Sequence, residues 1–295
     1  PMRSRRCGWC RPRPHDLRIV NANVAANEVQ SSAVRRIVEG EARSVPYVLF
    51  GPPGTGKTTT VVEVVLQCKR LRKDDFRTLV CAPTNTAADL LCSRLAATMG
   101  DTTKLLRLMS YSRAKREVPD LVLRFSNWVE SDEAFAAMPL QKILSKSIVV
   151  ATLSTAGKLT NMGVKRGHFD LVVIDEAGQA LEPEAAAPIT TLLGPDGQLL
   201  LAGDPKQLGP VIHNAQASEY GLATSLLERI MGRPLYGRHV DGGGYEPLML
   251  TKLVQNFRSH ELLLQLPNQL FYDNDLQPCA SRELRYYCCG TEYAD

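Results

Sequence analysis

The stretch Gly51-Pro52-Pro53-Gly54-Thr55-Gly56-Lys57-Thr58, with Thr59 after it, has the residue types and spacing to hold a triphosphate. It fills every fixed position of the pattern G-x-x-x-x-G-K-[ST]. The glycines let the backbone curl so that successive N–H groups turn toward phosphate oxygens, at the positive end of a following helix. Lys57 is placed to reach the β- and γ-phosphates, and the Thr58 hydroxyl to sit on Mg²⁺. A second pair, Asp175-Glu176, ends the apolar run 169–174. There Asp175 would hold the Mg²⁺ shell and Glu176 would polarise the water that attacks the γ-phosphate. In a third stretch, Gly203-Asp204-Pro205-Lys206-Gln207, the Gln207 amide could hydrogen-bond a γ-phosphate oxygen or that water. Together the three imply binding of a triphosphate with Mg²⁺ and phosphoryl transfer to water.

Such groups must be delivered by strand ends. Residues 47–50 read as a short buried strand entering the glycine-rich loop, and 59–71 as a packed helix leaving it. A second strand at 77–82 ends on Pro83-Thr84-Asn85-Thr86, with a helix at about 87–99. Further strands are expected at 147–152, 169–174 and 198–202, with a sixth candidate at 248–254. Helices are expected at 182–193, at 222–231 and from Glu261 onward. Strand–loop–helix units in succession predict an α/β fold with a parallel sheet covered by helices on both faces. Residues 21–40 read as a helix with Asn27 as its start signal. From 100 to 146 the pattern loosens, and we expect a helical insertion. Residues 233–244 read as a Gly-rich surface connection.

Composition bounds the class. At 295 residues and 44% hydrophobic, the chain has room for one large domain or one and part of another. No apolar run approaches the ~18 residues a membrane-spanning helix needs, and the first residues lack the apolar centre of a secretory signal. The net charge of +4 is local: residues 1–18 hold six arginines against Asp16, a +5 segment that leaves −1 for the rest. Bulk charge therefore gives no sign of a nucleic-acid partner for the main domain. Residues 1–20 are expected to be a disordered basic lead-in, and the tail after Ala280 fits none of the patterns. Eight scattered cysteines read as reduced thiols. Cys7 and Cys10 have the spacing of half a zinc site but no partner pair at ribbon spacing, and Cys288-Cys289 is uninformative.

The ordered set GPPGTGKT, APTNTAAD, VVATLSTAG, VVIDEAGQ, GDPKQLGP and NFRSH resembles the superfamily 1 helicases, nonsense-mediated-decay-like branch. Longer phrases, such as HFDLVVIDEAGQALEPE and LTKLVQNFRSHE, are similar to the Armitage/Moloney-leukaemia-virus-10 group of RNA-silencing helicases. The similarity runs from about Asn21 to Ala280. It implies a RecA-like fold for 21–247, carrying the insertion at 100–146, and for 248–295 a linker with the start of a second RecA-like domain. It also implies that Gln30 reads adenine, that Phe257 (where Tyr is common) stacks on it, and that Arg258 contacts the γ-phosphate. Thr84, Asn85, Thr152 and Ser154 match segments that bind a single strand's backbone through hydroxyls and amides. The activity implied is ATP-dependent 5′-to-3′ RNA unwinding, with single-stranded RNA and Argonaute-type proteins as partners, in the cytoplasm and its ribonucleoprotein granules. The chain starts at Pro1 and stops soon after Arg258. We therefore expect a first motor domain that binds Mg-ATP but hydrolyses it feebly, since an arginine finger is worth about 10³–10⁵ in turnover. A DNA helicase of the same superfamily, or an idle nucleotide-binding module, remains open on these residues.

Overall fold

Seven strands pair side by side into one sheet, and every pairing in it is parallel. The computed structural model describes residues 17–72, 76–99, 101–239 and 244–281. In chain order, α1 (Ala22–Ala26) and α2 (Glu28–Glu39) lead to β1 (Tyr47–Phe50) and α3 (Lys57–Arg72). Next come β2 (Thr78–Ala82), α4 (Asn85–Thr98), β3 (Leu105–Arg107) and the single turn α5 (Asp120–Leu123). An antiparallel ribbon of β4 (Trp128–Val129) and β5 (Ala134–Phe135) precedes α6 (Leu140–Leu144) and β6 (Ile148–Thr152). Then follow α7 (Leu153–Gly157), β7 (Phe169–Ile174), α8 (Glu182–Leu192), β8 (Leu193–Gly203), α9 (Ala215–Glu219) and α10 (Leu226–Met231). The described chain closes with β9 (Leu250–Lys252), β10 (Gln255–Asn256), α11 (Glu261–Phe271) and β11 (Gln277–Pro278). Across the sheet the order is β3-β6-β2-β7-β8-β1-β9.

Both faces of the sheet are covered. Tyr47 and Leu49 of β1 join one buried cluster with Val34, Val61, Val65 and Leu91 of α2, α3 and α4. Val48 and Phe50 join the other, with Ala156, Ala185, Leu227 and Leu264 of α7, α8, α10 and α11. Strands buried on both faces must be apolar at every position, which is why they stand out as unbroken runs. Each fully buried Val, Leu or Ile contributes roughly 1.5–3 kcal/mol. The helices start where the sequence supplies caps. Asn27 Oδ1 accepts from the Gln30 backbone N–H at 3.1 Å, and Gly40 closes α2 in the left-handed region.

Several expected boundaries move. The sheet runs past residue 247, because β9 pairs with β1 from Val48↔Leu250 to Phe50↔Lys252. At the other end, residues 17–20 are packed: the carboxylate of buried Glu63 accepts from Val20 N and Asn21 N, and Arg18 O accepts from Gln67. The segment expected as a helical insertion supplies the edge strand β3 and the β4–β5 ribbon, with only short helical turns. Its strands are two or three residues long, too short to print a period. The helix expected from 222 begins at Leu226, since Ser225 caps it there. β8 starts five residues before the expected 198, across Pro195 and Gly197. The Cys7–Cys10 pair, residues 1–16, Cys288-Cys289 and the tail from 282 lie outside the described residues. Within them, Cys68, Cys81, Cys92 and Cys279 are free thiols.

Candidate active site

All the chemistry-bearing stretches leave the same edge of the sheet, the carboxyl ends of its strands. The glycine-rich loop follows β1, Asp175-Glu176 follow β7, and the Gln207 stretch follows β8. Because β7, β8 and β1 are consecutive in the sheet, the three meet.

The loop turns where its glycines allow: Gly54 and Gly56 have φ of 75° and 85°, a region that side-chain-bearing residues rarely adopt. Thr55 Oγ1 donates to Pro52 O at 2.7 Å and pins the curl from inside. α3 begins at Lys57, so its first N–H groups lack helical partners and face the loop's hollow. Lys57, only 7% exposed, folds back to donate from Nζ to Gly51 O at 2.6 Å. Thr58 Oγ1 donates to Asp175 Oδ2 at 2.9 Å. Asp175 is 2% exposed, and burial together with the neighbouring Glu176 carboxylate raises its pKa to about 6. Two hard oxygens in contact, one of them a carboxylate that burial keeps from ionising easily, are the donor set that a small divalent cation stabilises. Thr58 and Asp175 therefore fit Mg²⁺.

Glu176 adopts φ 54° and ψ 39°, left-handed for a non-glycine residue. Such strain costs on the order of 1 kcal/mol or more and collects at functional sites. Here it turns the side chain into a cavity of about 460 Å³ lined by loop residues 52–59 with Leu90, Arg94, Glu176, Gln207, Phe257 and Arg258. Gln207 Nε2 donates to Asp204 Oδ2 at 3.0 Å, and the buried Tyr272 hydroxyl donates to the same oxygen at 2.9 Å. A somewhat larger hollow of about 530 Å³ lies between Phe50, Tyr236, Tyr245 and Phe271. Size does not decide between them: the larger hollow contains no residue of the glycine-rich loop.

The structure gathers Lys57, Thr58, Thr59, Glu176, Gln207, Phe257 and Arg258 around one space, with Asp175 behind Thr58 and Gly51 behind Lys57. Gln30 is placed differently from its expected adenine-reading position. It is buried behind the loop, where Nε2 donates to Thr60 Oγ1 at 2.9 Å and approaches Thr55 O and Gly56 O at 3.3 and 3.4 Å. Its amino group braces the loop and does not line the cavity. The expected strand-contact residues form a second group. Thr84 and Thr152 stand at the ends of β2 and β6, which are neighbours in the sheet, and each caps the helix that follows. Ser154 Oγ donates to Glu184 Oε1 at 3.0 Å, and Asn85 Oδ1 accepts from Arg107 at 3.0 Å.

Two features went unread in the sequence. Arg94 and Leu90, from the third turn of α4 and just before it, reach the cavity wall, and Arg94 Nη1 donates to Thr59 Oγ1 at 3.1 Å. Asn256, wholly buried, docks the segment carrying Phe257 and Arg258 onto the loop. Its Nδ2 donates to Pro53 O at 2.6 Å, and its Oδ1 accepts from the Arg258 and Ser259 backbone N–H groups at 2.9 and 2.8 Å. Phe257 N adds a bond to Gly54 O at 2.9 Å. The signal is its place beside Phe257 and Arg258 in the NFRSH motif, where a carboxamide can both donate and accept.

A parallel sheet with this loop, this acidic pair and these flanking groups defines a RecA-like phosphate-loop NTPase domain. The sequence matches the family described as "AAA domain" over residues 25–135 and 128–215, and the chain belongs to that family, in its superfamily 1, Mov10/Armitage-type helicase branch. Mouse "RNA helicase Mov10l1" is 44% identical over 275 residues, which are 92% of this chain and 22% of that protein. Chicken "Putative helicase MOV-10" is 44% identical, over 91% of this chain and 29% of that one. Drosophila melanogaster "Probable RNA helicase armi" is 34% identical, over 91% and 24%. The chain thus spans about a quarter of the length of these relatives.

Proposed function

We propose that this chain is the ATP-hydrolysing part of an RNA helicase, coupling Mg-ATP turnover to a hold on single-stranded RNA with 5′-to-3′ movement. The observation that carries the reading is the meeting of Lys57, Thr58, Asp175, Glu176, Gln207 and Arg258 at one end of the sheet. Lys57 would exchange Gly51 O for phosphate oxygens, matching a charge that the loop carbonyl only partly answers. Thr58 and Asp175 would hold Mg²⁺, which supplies charge neutralisation on the phosphates when bound. Glu176 orients water and accepts its proton, and Gln207, held by Asp204, senses the γ-phosphate side. Arg258 adds a cation from the segment that Asn256 clamps to the loop. Thr84, Asn85, Thr152 and Ser154 would meet the strand beyond β7, on the half of the same sheet edge away from the loop. Among the described residues no helix is long and apolar enough to cross a membrane. The relatives' names support RNA as the strand, and the resemblance supports Argonaute-type partners and a cytoplasmic, granule-associated place of action.

The test is ATP turnover with matched single-stranded RNA or DNA. RNA should raise turnover more than DNA does, and Glu176→Gln should remove the increment. Equal stimulation by both strands would support a DNA-competent helicase, and no effect of either would overturn the coupling.

A further inference from the structure

Arg107 ends the edge strand β3 with none of its surface exposed, and its guanidinium forks beneath the first turn of α4. Nε donates to Asp89 Oδ1 at 2.8 Å, Nη1 to Leu108 O at 2.8 Å, and Nη2 to Asn85 Oδ1 at 3.0 Å. Asn85 and Asp89 are four residues apart, so they lie on one side of the helix. Arg113 clamps the same carboxylate, with Nη1 on Asp89 Oδ1 at 3.0 Å and Nη2 on Oδ2. Two guanidinium groups therefore share one buried carboxylate. For stability alone this is a poor arrangement, since well-packed apolar residues often serve as well as or better than buried ion pairs. Its effect on Asn85 is specific. A carboxamide presents an acceptor on one side and two donors on the other, and either side can face inward. A guanidinium only donates, so Arg107 admits only the oxygen. The amino group of Asn85, an exposed residue, is then left on the outward side.

Resting on the reading that Thr84 and Asn85 meet a nucleic-acid strand, we infer that Arg107 is a positioning residue that orients the Asn85 carboxamide to donate to a phosphodiester oxygen. Phosphodiester oxygens only accept, so a fixed donor matches the backbone of any sequence. A side chain free to flip would have to be fixed donor-outward when the phosphate arrives, a cost that Arg107 removes in advance. The device also supplies strand recognition in a domain whose bulk charge offers none.

The experiment is a double-mutant cycle on the whole chain, with a fluorescent single-stranded uridine oligonucleotide followed by anisotropy at low salt. Asn85→Ala and Arg107→Gln are each expected to weaken binding about tenfold or more, the worth of one hydrogen bond to a charged acceptor. The double variant should bind no worse than Asn85→Ala alone, and Mg-ADP affinity, read separately, should be unchanged in all three. Asn85→Asp keeps the acceptor for Arg107 and loses the donors, so it should lose strand affinity without a lower melting temperature. If Arg107→Gln fails to fold, Asn85→Asp at wild-type strand affinity would still overturn the inference. So would additive losses in the cycle, or Arg107→Gln leaving strand affinity intact where Asn85→Ala lowers it. A wild-type chain that binds Mg-ADP but no strand would overturn both this inference and the strand-binding reading beneath it.

Discussion

Glu176 sits in a left-handed turn that a glycine would occupy at no cost, and its carboxylate faces the loop of Lys57 and Thr58. A side chain kept in such a position contributes chemistry more than packing. Glu176→Gln should therefore bind Mg-ATP within a few-fold of wild type while phosphate release falls by at least about 10², the usual loss for a general base. Paired equilibrium binding and phosphate-release assays check both halves. The residues of this group were legible because their chemistry imposes fixed spacing: glycines before Lys57, and an acidic pair at a strand end. Gln30 was harder. Its type suits a base edge, but only the structure shows Nε2 engaged by Thr60 and the loop carbonyls. Asn85, Thr84 and Thr152 likewise double as helix or network anchors, a use that spacing alone does not reveal.

At the scale of elements, the segment from β9 to α11 is tied to the loop at its middle. Asn256 bonds the loop at Pro53 O and its own segment at the Arg258 and Ser259 N–H groups, and a Cβ on Gly54 would come within 2.6 Å of Arg258 Cβ. The helix start adds a second tie, since Asn27 Nδ2 donates to Gln255 Oε1 at 2.9 Å. Asn256→Ala removes three part-buried hydrogen bonds, each worth about 0.5–1.5 kcal/mol. It should lower the melting temperature and weaken Mg-ADP binding together, as thermal denaturation and a titration will show. A fall in stability with full nucleotide affinity would mean that the segment is held by other contacts. The parallel strands were legible as continuous apolar runs because both faces are buried. β3 was not, since three residues ending on a buried arginine resemble a strand only once Asp89 and Arg113 are seen around it.

Over the whole molecule, three thiols lie inside the two apolar layers. Burial pushes Cys68 and Cys92 up to about 12, and Cys81 higher still. In the unfolded chain a thiol ionises near 8.5, so above that pH the unfolded state has shed protons that the native state keeps. Stability contributed by these thiols is complete below about 8.5 and is lost as pH rises toward 12, at about 1.4 kcal/mol per pH unit for each. Denaturant melts between pH 8 and 10 should show this decline, and Cys68→Ala with Cys92→Ala should flatten it. A wild-type slope that the double variant leaves unchanged would place the titrating groups elsewhere. The sheet's architecture was readable at this scale, but its extent was not. The expected limits at 20 and 247 fell where apolar periodicity ends. Val20 and Asn21, however, are held through their backbone N–H groups by the distant Glu63 carboxylate, and β9 by its backbone pairing with β1, ties that the local side-chain pattern does not print.

The central claim is that the hollow above β1 is a nucleotide site whose affinity depends on Lys57. Calorimetric titration of Mg-ATP into wild type, Lys57→Ala and Glu176→Gln tests it most directly. One site per chain, retained in Glu176→Gln and weakened at least about tenfold by Lys57→Ala, is the predicted result, since a hydrogen bond to a charged group is worth about 1.5–3 kcal/mol. Unchanged affinity in Lys57→Ala would contradict the account, because the nucleotide would then be held somewhere other than the loop.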